Sequence, residues 1–408
     1  MRGWSALAPD AIASRVRAAL DDNLTYTRDV QLGVPGSHLD DRVFPPLPFV
    51  EASAWLSCLR ANPNHIGCHT LGPGEGAFAG TQALESELLE ICAEGLLDAE
   101  PDTWDGYVAS GGTESNIQAA WAFRNALMRE HGLRLGEIGL LCSEDTHYSA
   151  AKAANLLGLS LLTVAVDPRT RRIDRGHARE RLAEARAAGL RGFVAILNMG
   201  TTMFGSVDAP DDLLAPLAET GCPWFAHVDA AFGGFLYPLT TPDNPLSFAD
   251  PRLSSFTLDA HKLLQAPYGT GVHLIRKPWI RDVETPDARY VPGSDFTLAG
   301  SRSGANAVAV WMILRAWGSA GGVEVCCGLV ALAEHLCAGL DRLGIAYVHT
   351  PGMNIVAIAA EAVPEPVAAR YRLVPDRHDG PPRWRKVVVM EHVRRDQLDA
   401  LLADLARG

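Results

Sequence analysis

No two cysteines in this chain are spaced as a metal clasp or a redox couple. The eight of them (Cys58, Cys68, Cys92, Cys142, Cys222, Cys326, Cys327, Cys337) are scattered without a C-x-x-C pair. That excludes a zinc knuckle or a disulfide framework and suits reduced thiols. Basic charge is also short, with 36 Lys and Arg against 48 Asp and Glu, a net −12. A nucleic-acid or anionic-membrane partner calls for the opposite balance, so neither is expected. No uninterrupted apolar run reaches the roughly 18 residues that a bilayer span needs. The opening Met1-Arg2-Gly3-Trp4 lacks a basic stretch followed by an apolar core, so no secretory leader is expected and a cytoplasmic location is. The Walker lysine and the G-x-G-x-x-G spacing are missing too, which removes a P-loop and a dinucleotide site. Internal repeats and low-complexity tracts are absent.

What is there is alternation. At 408 residues the chain exceeds one simple core and suits a large domain with a smaller one. Its 48% hydrophobic and 21% charged residues are those of a globular protein. An amphipathic helix is predicted over 10–30, with Ile12, Val16, Ala19 and Leu20 on one face. A Pro-rich arm follows over 34–48, which cannot be regular helix. From residue 80, predicted helices at 81–97, 115–130, 150–157 and 175–188 alternate with predicted strands at 106–109, 138–142, 161–166, 192–198, 224–228 and 253–258. This is the pattern of an α/β domain on a mostly parallel sheet. Past Pro292 the texture changes. Helices at 306–317 and 323–343, strands at 345–349, 354–358 and 387–390, a loop at 376–385 and a closing helix at 395–407 read as a smaller α+β lobe. The expected division is 1–60 for an N-terminal helix and arm, 61–290 for the large domain and 291–408 for the small C-terminal domain.

The chemistry is carried by residues at the predicted strand ends. Asp229 closes the apolar run Trp224-Phe225-Ala226-His227-Val228, and Lys262 follows it by 33 residues (229 to 262) in Asp259-Ala260-His261-Lys262. Each alone is unspecific, since a lysine after a histidine is commonly a solvated residue and an aspartate after a strand is commonly a cap. Together they supply an amine that can hold an aldehyde as a Schiff base and a carboxylate that can keep a pyridine nitrogen protonated. Those are two of the parts that pyridoxal 5'-phosphate (PLP) needs to act as an electron sink. Other strand ends add to them. Ser110-Gly111-Gly112-Thr113-Glu114-Ser115-Asn116 turns from a strand into a helix whose N-terminus can cradle a phosphate. His147, in Asp145-Thr146-His147-Tyr148-Ser149, can stack on a flat ring. Asn198-Met199-Gly200-Thr201-Thr202 puts hydroxyls at another strand end, where open α/β sheets bind ligands.

In this order the motifs resemble the group II PLP-dependent amino-acid decarboxylases, in particular the short bacterial histidine, plant serine and archaeal tyrosine/aspartate decarboxylases. The likeness runs from about residue 80 to the C-terminus. Gly300-Ser301-Arg302-Ser303-Gly304 is similar to the segment that opens the family's small domain, and Val387-Val388-Val389-Met390 to its final strand. The resemblance implies fold class α/β, the PLP-dependent transferase fold type I, with a large mostly parallel sheet domain and a smaller α+β C-terminal domain. It implies PLP as cofactor, a homodimer, and removal of the α-carboxylate of an L-amino acid as CO2. Lys262 would carry the cofactor, Asp229 would pair with the ring nitrogen and His147 would stack on the ring. Gly112, Thr113 and His261 would hold the phosphate, and Thr202 and Ala231 would line the ring. Asp259 is left out of the direct contacts, because a carboxylate beside a phosphate is unfavourable. The alternative reaction is retro-aldol cleavage of the sphingosine-phosphate lyase type, whose Gly-Gly-Thr-Glu-Ser motif is similar.

Substrate and assembly are read from what lies outside these motifs. Segments 64–80 and 290–300 are the expected specificity loops, with His65, His69 and Ser294 as candidate polar contacts. Histidine, serine, aspartate and the aromatic amino acids are the candidate substrates. No paired-arginine clamp for a dicarboxylate is evident. The apolar residues of 1–60 are expected to cross to a partner subunit.

Overall fold

The computed structural model describes every residue except 1, 25–27, 31, 33–38, 46, 61–63, 66–70, 73, 75, 286–293 and 408, and only the backbone of 51, 64 and 65. The arm is therefore described in part, and the expected boundary at 290/291 lies outside the described residues.

Two-residue strands β1 (Asn64–His65) and β9 (Arg302–Ser303) pair antiparallel. Between them the chain builds β2 (Trp104–Ala109), β3 (Ile138–Ser143), β4 (Ser160–Val164), β5 (Gly192–Asn198), β6 (Trp224–Ala230), β7 (Leu253–Asp259) and β8 (Gly271–Arg276). Among the described residues these form a seven-stranded sheet in the order β2-β8-β7-β6-β5-β3-β4. β8 runs antiparallel to both of its neighbours, and the other pairs are parallel. β3, β5 and β7 are buried at every position, as strands covered on both faces must be. β8 escapes sequence reading because it follows the lysine loop with no intervening helix. The strands and helices that periodicity predicts otherwise fall within a few residues of their places, while the helices Ala54–Arg60, Pro210–Glu219 and Glu365–Tyr371 were not predicted. The first helix is shorter than predicted, Pro9–Asp22.

After β9 the chain is helical from Gly304 to Leu343 in two helices that meet at a kink, in line with the two predicted at 306–317 and 323–343. Its path breaks at Gly318, with φ 60° and ψ 170°, and a Cβ there would lie 2.6 Å from the Ala6 backbone nitrogen. Residues 4–7 fill the break. Trp4 Nε1 donates to Leu314 O at 2.9 Å, Leu7 N to Arg315 O at 2.7 Å, and Ser319 N to Trp4 O at 2.9 Å. By length and composition this helical segment is apolar enough to cross a membrane, which counting uninterrupted runs does not reveal. Here many of its apolar residues pack inside the protein. Ala305, Val308, Trp311, Leu314, Cys326 and Leu329 join the core of the large sheet. Ala333, Leu336, Cys337 and Leu340 pack instead with the small sheet, β10 (Tyr347–His349), β11 (Ile355–Ala359), β13 (Trp384–Val388) and β12 (Val374–Pro375), which is antiparallel throughout.

The first helix is seated on its own chain, with Ile12, Val16 and Ala19 buried in the main core. That corrects the expectation that all of residues 1–60 cross to a partner.

Candidate active site

The parallel strands all end on one edge of the sheet, and the chemistry-bearing residues follow those ends. Ser110 to Asn116 leave β2 for the helix Gly112–His131, His147 and Tyr148 follow β3, and Asn198 to Thr202 follow β5. Asp229 sits at the end of β6, and Asp259 to Lys262 follow β7. They enclose a cavity of about 300 Å³. Gly112, Thr113, His147, Thr202, Asp229, Ala231, His261 and Lys262, which are all the residues predicted for the site, line it. Asn116, Tyr148, Asn198, Phe232 and Asp259 line it as well, and sequence reasoning gave none of them a role.

Asp259 is the departure from expectation. Its Oδ2 lies 3.3 Å from Lys262 Nζ and 3.7 Å from His261 Nε2. A Cβ at position 112 would come within 2.8 Å of the same oxygen, so any side chain at that first helical position would have to displace the Asp259 carboxylate. Burial pushes the Asp259 carboxyl above its ordinary range, with Lys262 and then His261 opposing. Asp259 Oδ1 and His261 Nδ1 are buried and meet no partner. Of the other candidates, Ser294 gives its hydroxyl to Glu284 at 2.7 Å, away from the cavity. The side chain of His65 and all of His69 lie outside the described residues.

A hydrogen-bond network lies beneath the cavity. Asn116 Nδ2 is 2.8 Å from Asp229 Oδ2 and 2.8 Å from Ser149 Oγ, and Asn116 Oδ1 is 2.9 Å from His227 Nε2. Ser149 Oγ in turn meets His147 Nδ1 at 3.0 Å. Asp229 Oδ1 takes the Ala231 N–H at 3.1 Å, and His227 Nδ1 meets Ser255 Oγ at 2.7 Å. Burial lowers the His147 pKa against the opposing pull of Asp229, and holds fully buried His227 well below the usual imidazole range. One strand over, Asn198 Nδ2 bridges Thr146 Oγ1 (2.9 Å) and Asp208 Oδ2 (2.8 Å), which braces the His147 loop against β5. Burial pushes the Asp208 carboxyl up to about 7. Alternation along β6 was the available signal for His227, because residues two apart on a strand share a face. From the small lobe, Lys386 reaches over to donate to Thr202 O at 2.8 Å. Burial first, and then Lys262, lower its pKa.

These residues fit PLP. The cavity combines an amine, a strand-end carboxylate and a half-buried imidazole with a helix N-terminus and with buried polar atoms still short of partners. An α/β sheet presenting such a set at its carboxyl edge defines a fold type I PLP enzyme.

Comparison with known proteins narrows the class. Residues 83–358 match the pyridoxal-dependent decarboxylase conserved domain. Tryptophan decarboxylase of Clostridium sporogenes is 41% identical over 408 residues, covering 100% of this chain and 98% of that protein. L-Methionine decarboxylase of Streptomyces sp. 590 superposes with a TM-score of 0.68 at 23% identity, over 98% of this chain and 95% of its own. A sphingosine-1-phosphate lyase of Burkholderia pseudomallei also gives 0.68, at 21% identity over 80% and 77% of the two chains. At such identities the two superpositions speak for the fold alone.

The chain belongs to the pyridoxal-dependent decarboxylase family. It is a PLP-dependent carboxy-lyase that releases the α-carboxylate of an amino acid as CO2 and leaves the amine.

Proposed function

We propose that the substrate is an aromatic L-amino acid, tryptophan before the others, and that a homodimer does the work. The 41% identity to tryptophan decarboxylase, sustained along the whole chain, carries the substrate reading. Tyr148 and Phe232 in the cavity lining supply aromatic surface for a large flat side chain, and no arginine among the described residues lines it to favour a dicarboxylate.

PLP, when bound, supplies a protonated ring that takes up the electron pair of the bond to the leaving carboxylate. Lys262 would hold the cofactor's aldehyde carbon. Asp259, 3.3 Å from Lys262 Nζ, would serve as counter-ion whenever that amine is free and protonated. Asp229 would keep a proton on the ring nitrogen, and His147 would cover one ring face and keep water from it. Gly112 and Thr113, at a helix N-terminus, would hold the phosphate together with His261. Thr202 and Ala231 would line the ring.

Incubating the holoenzyme with each proteinogenic L-amino acid and identifying products by mass tests this. Tryptamine should form with a kcat/KM on the order of 10-fold or more above that for histidine, serine or aspartate. A preference for one of those three would overturn the substrate reading. An aldehyde fragment in place of the amine would mean a lyase.

The dimer reading rests on apolar surface in the arm. Val30 is 91% exposed, Leu32 95%, Val43 68%, Phe44 53% and Phe49 64%. A second copy covering residues 28–49 would remove that surface from water. Sedimentation of Leu32→Asp/Phe44→Asp should then show a monomer with weakened activity. A fully active monomeric wild type would rule the dimer out.

A further inference from the structure

We infer that Asn116 is the positioning residue of this site: its side-chain amide sets, together, the hydrogen-bond state of Asp229 and the ring tautomer of His147. The inference deepens the reading of Asp229 and His147 as the cofactor's neighbours. The bonds themselves stand without it.

Asn116 is 2% exposed and opens the second turn of the helix Gly112–His131. An ionised Asp229 oxygen only accepts, so the amide nitrogen of Asn116 must face it. The nitrogen's second hydrogen goes to Ser149 Oγ, and both donors are then used. The amide oxygen therefore needs a donor, and the atom in place is His227 Nε2. His227 is fully buried and neutral, so with its proton on Nε2 its Nδ1 is bare and accepts from Ser255 Oγ. Thr257 Oγ1, 3.2 Å from the same Nε2, takes the second share of that N–H.

On the other branch the Ser149 backbone N–H faces His147 Nδ1 at 3.3 Å, which marks that atom as an acceptor, and the Ser149 hydroxyl, which accepts from Asn116, turns its single hydrogen to the same atom. With two donors aimed at Nδ1, neutral His147 carries its proton on Nε2. The bond directions follow from two facts, that a carboxylate cannot donate and that a backbone N–H cannot accept. A single side chain so ties the group facing the ring nitrogen to the group covering the ring.

The first test needs no cofactor. Long-range 1H–15N spectra of histidine-labelled apoenzyme, with His147 assigned by its loss in His147→Gln, should show the Nε2–H tautomer. Asn116→Ala should release it into a mixture of tautomers and weaken PLP binding by roughly 10–100-fold, the usual cost of losing an outer partner in such sites. His227→Gln, which keeps a donor for the Asn116 oxygen, should preserve both readouts, whereas His227→Phe should not. If Asn116→Ala fails to fold, Ser149→Ala removes only the branch to His147, and it should free that tautomer while leaving PLP affinity within about 3-fold. An Nδ1–H tautomer in the wild type would overturn the inference. So would an Asn116→Ala or Ser149→Ala variant with an unaltered tautomer. Failure to decarboxylate tryptophan would touch neither result.

Discussion

Arg302 and Glu85 form a buried ion pair, with side chains 4% and 3% exposed, and replacing Arg302 by methionine is the sharpest probe of what holds the site's first strand. Arg302 Nη1 meets Glu85 Oε1, and Nη2 lies 3.3 Å from Oε2. The same carboxylate takes the Val108 N–H at 2.8 Å, and Arg302 gives a 3.3 Å bond to Val108 O. The pair thus pins β2 one residue before the turn that opens the cavity. The guanidinium also lies over the Tyr107 ring, 5.0 Å from its centroid. Arg302→Met keeps much of the side-chain volume but strands a buried carboxylate, which costs about 3–5 kcal/mol. With an unfolding entropy of about 2.1 cal/mol/K per residue, a 408-residue chain changes by roughly 0.9 kcal/mol per degree at its midpoint. The loss should therefore read as a Tm lower by about 3–6 °C in calorimetry. The double variant Glu85→Met/Arg302→Met removes both charges and, among the described residues, costs the Val108 N–H its acceptor, worth about 1–3 kcal/mol. It should be more stable than Arg302→Met alone. A single variant within a degree of wild type, or a double variant losing the sum of the two singles, would refute the reasoning.

Asp229→Asn keeps the shape but removes the charge facing the ring nitrogen, and should lower kcat by about 10²-fold or more with PLP saturating, measured as CO2 release. Burial pushes His273 down to about 3 and holds His227 well below its ordinary value. Because the folded values are depressed, the unfolded chain takes these protons first. Stability should hold above about pH 6.5 and fall towards pH 3 by about 1.4 kcal/mol per pH unit for each histidine, and His273→Leu should halve that slope in chemical denaturation. Asp208 has the opposite sign, since its folded value is raised to about 7. Its contribution is full below about pH 4 and lost as pH rises through 7, so Asp208→Asn should flatten stability between pH 4 and 7 in the same titration.

Much of this was legible in the chain. β3, β5 and β6 announce themselves because burial on both faces leaves them mostly apolar, and their ends mark the site because ligands collect at that edge of an open sheet. Lys262, Asp229, His147 and the Gly111-Gly112 turn stand out since PLP chemistry restricts what can stand there. Asn116, Ser149 and His227 did not stand out. Their value lies in which atom each faces, and that depends on how the helix Gly112–His131 lies over β6. Asp259 was set aside on charge grounds, yet in the fold its carboxylate has Lys262 as a cation beside it. β8 was passed over because an antiparallel strand inserted in a parallel sheet breaks the alternation used to find the others. The two helices after Gly304 were legible because Gly318 reads as a terminator, and it proves to be the kink between them, filled by the N-terminal segment.

That bend has a consequence during synthesis. Trp4 bonds to Leu314, 310 residues later in the chain, and residues 6 and 7 pack there too. Residues 4–7 thus meet their partners only after about 310 further residues are made, which at about 5–20 residues per second means a wait of roughly 15–60 s. Through that interval this nascent segment is open to proteases and chaperones. A substitution of Trp4 would burden this late joint and would leave the sheet that carries the chemistry untouched.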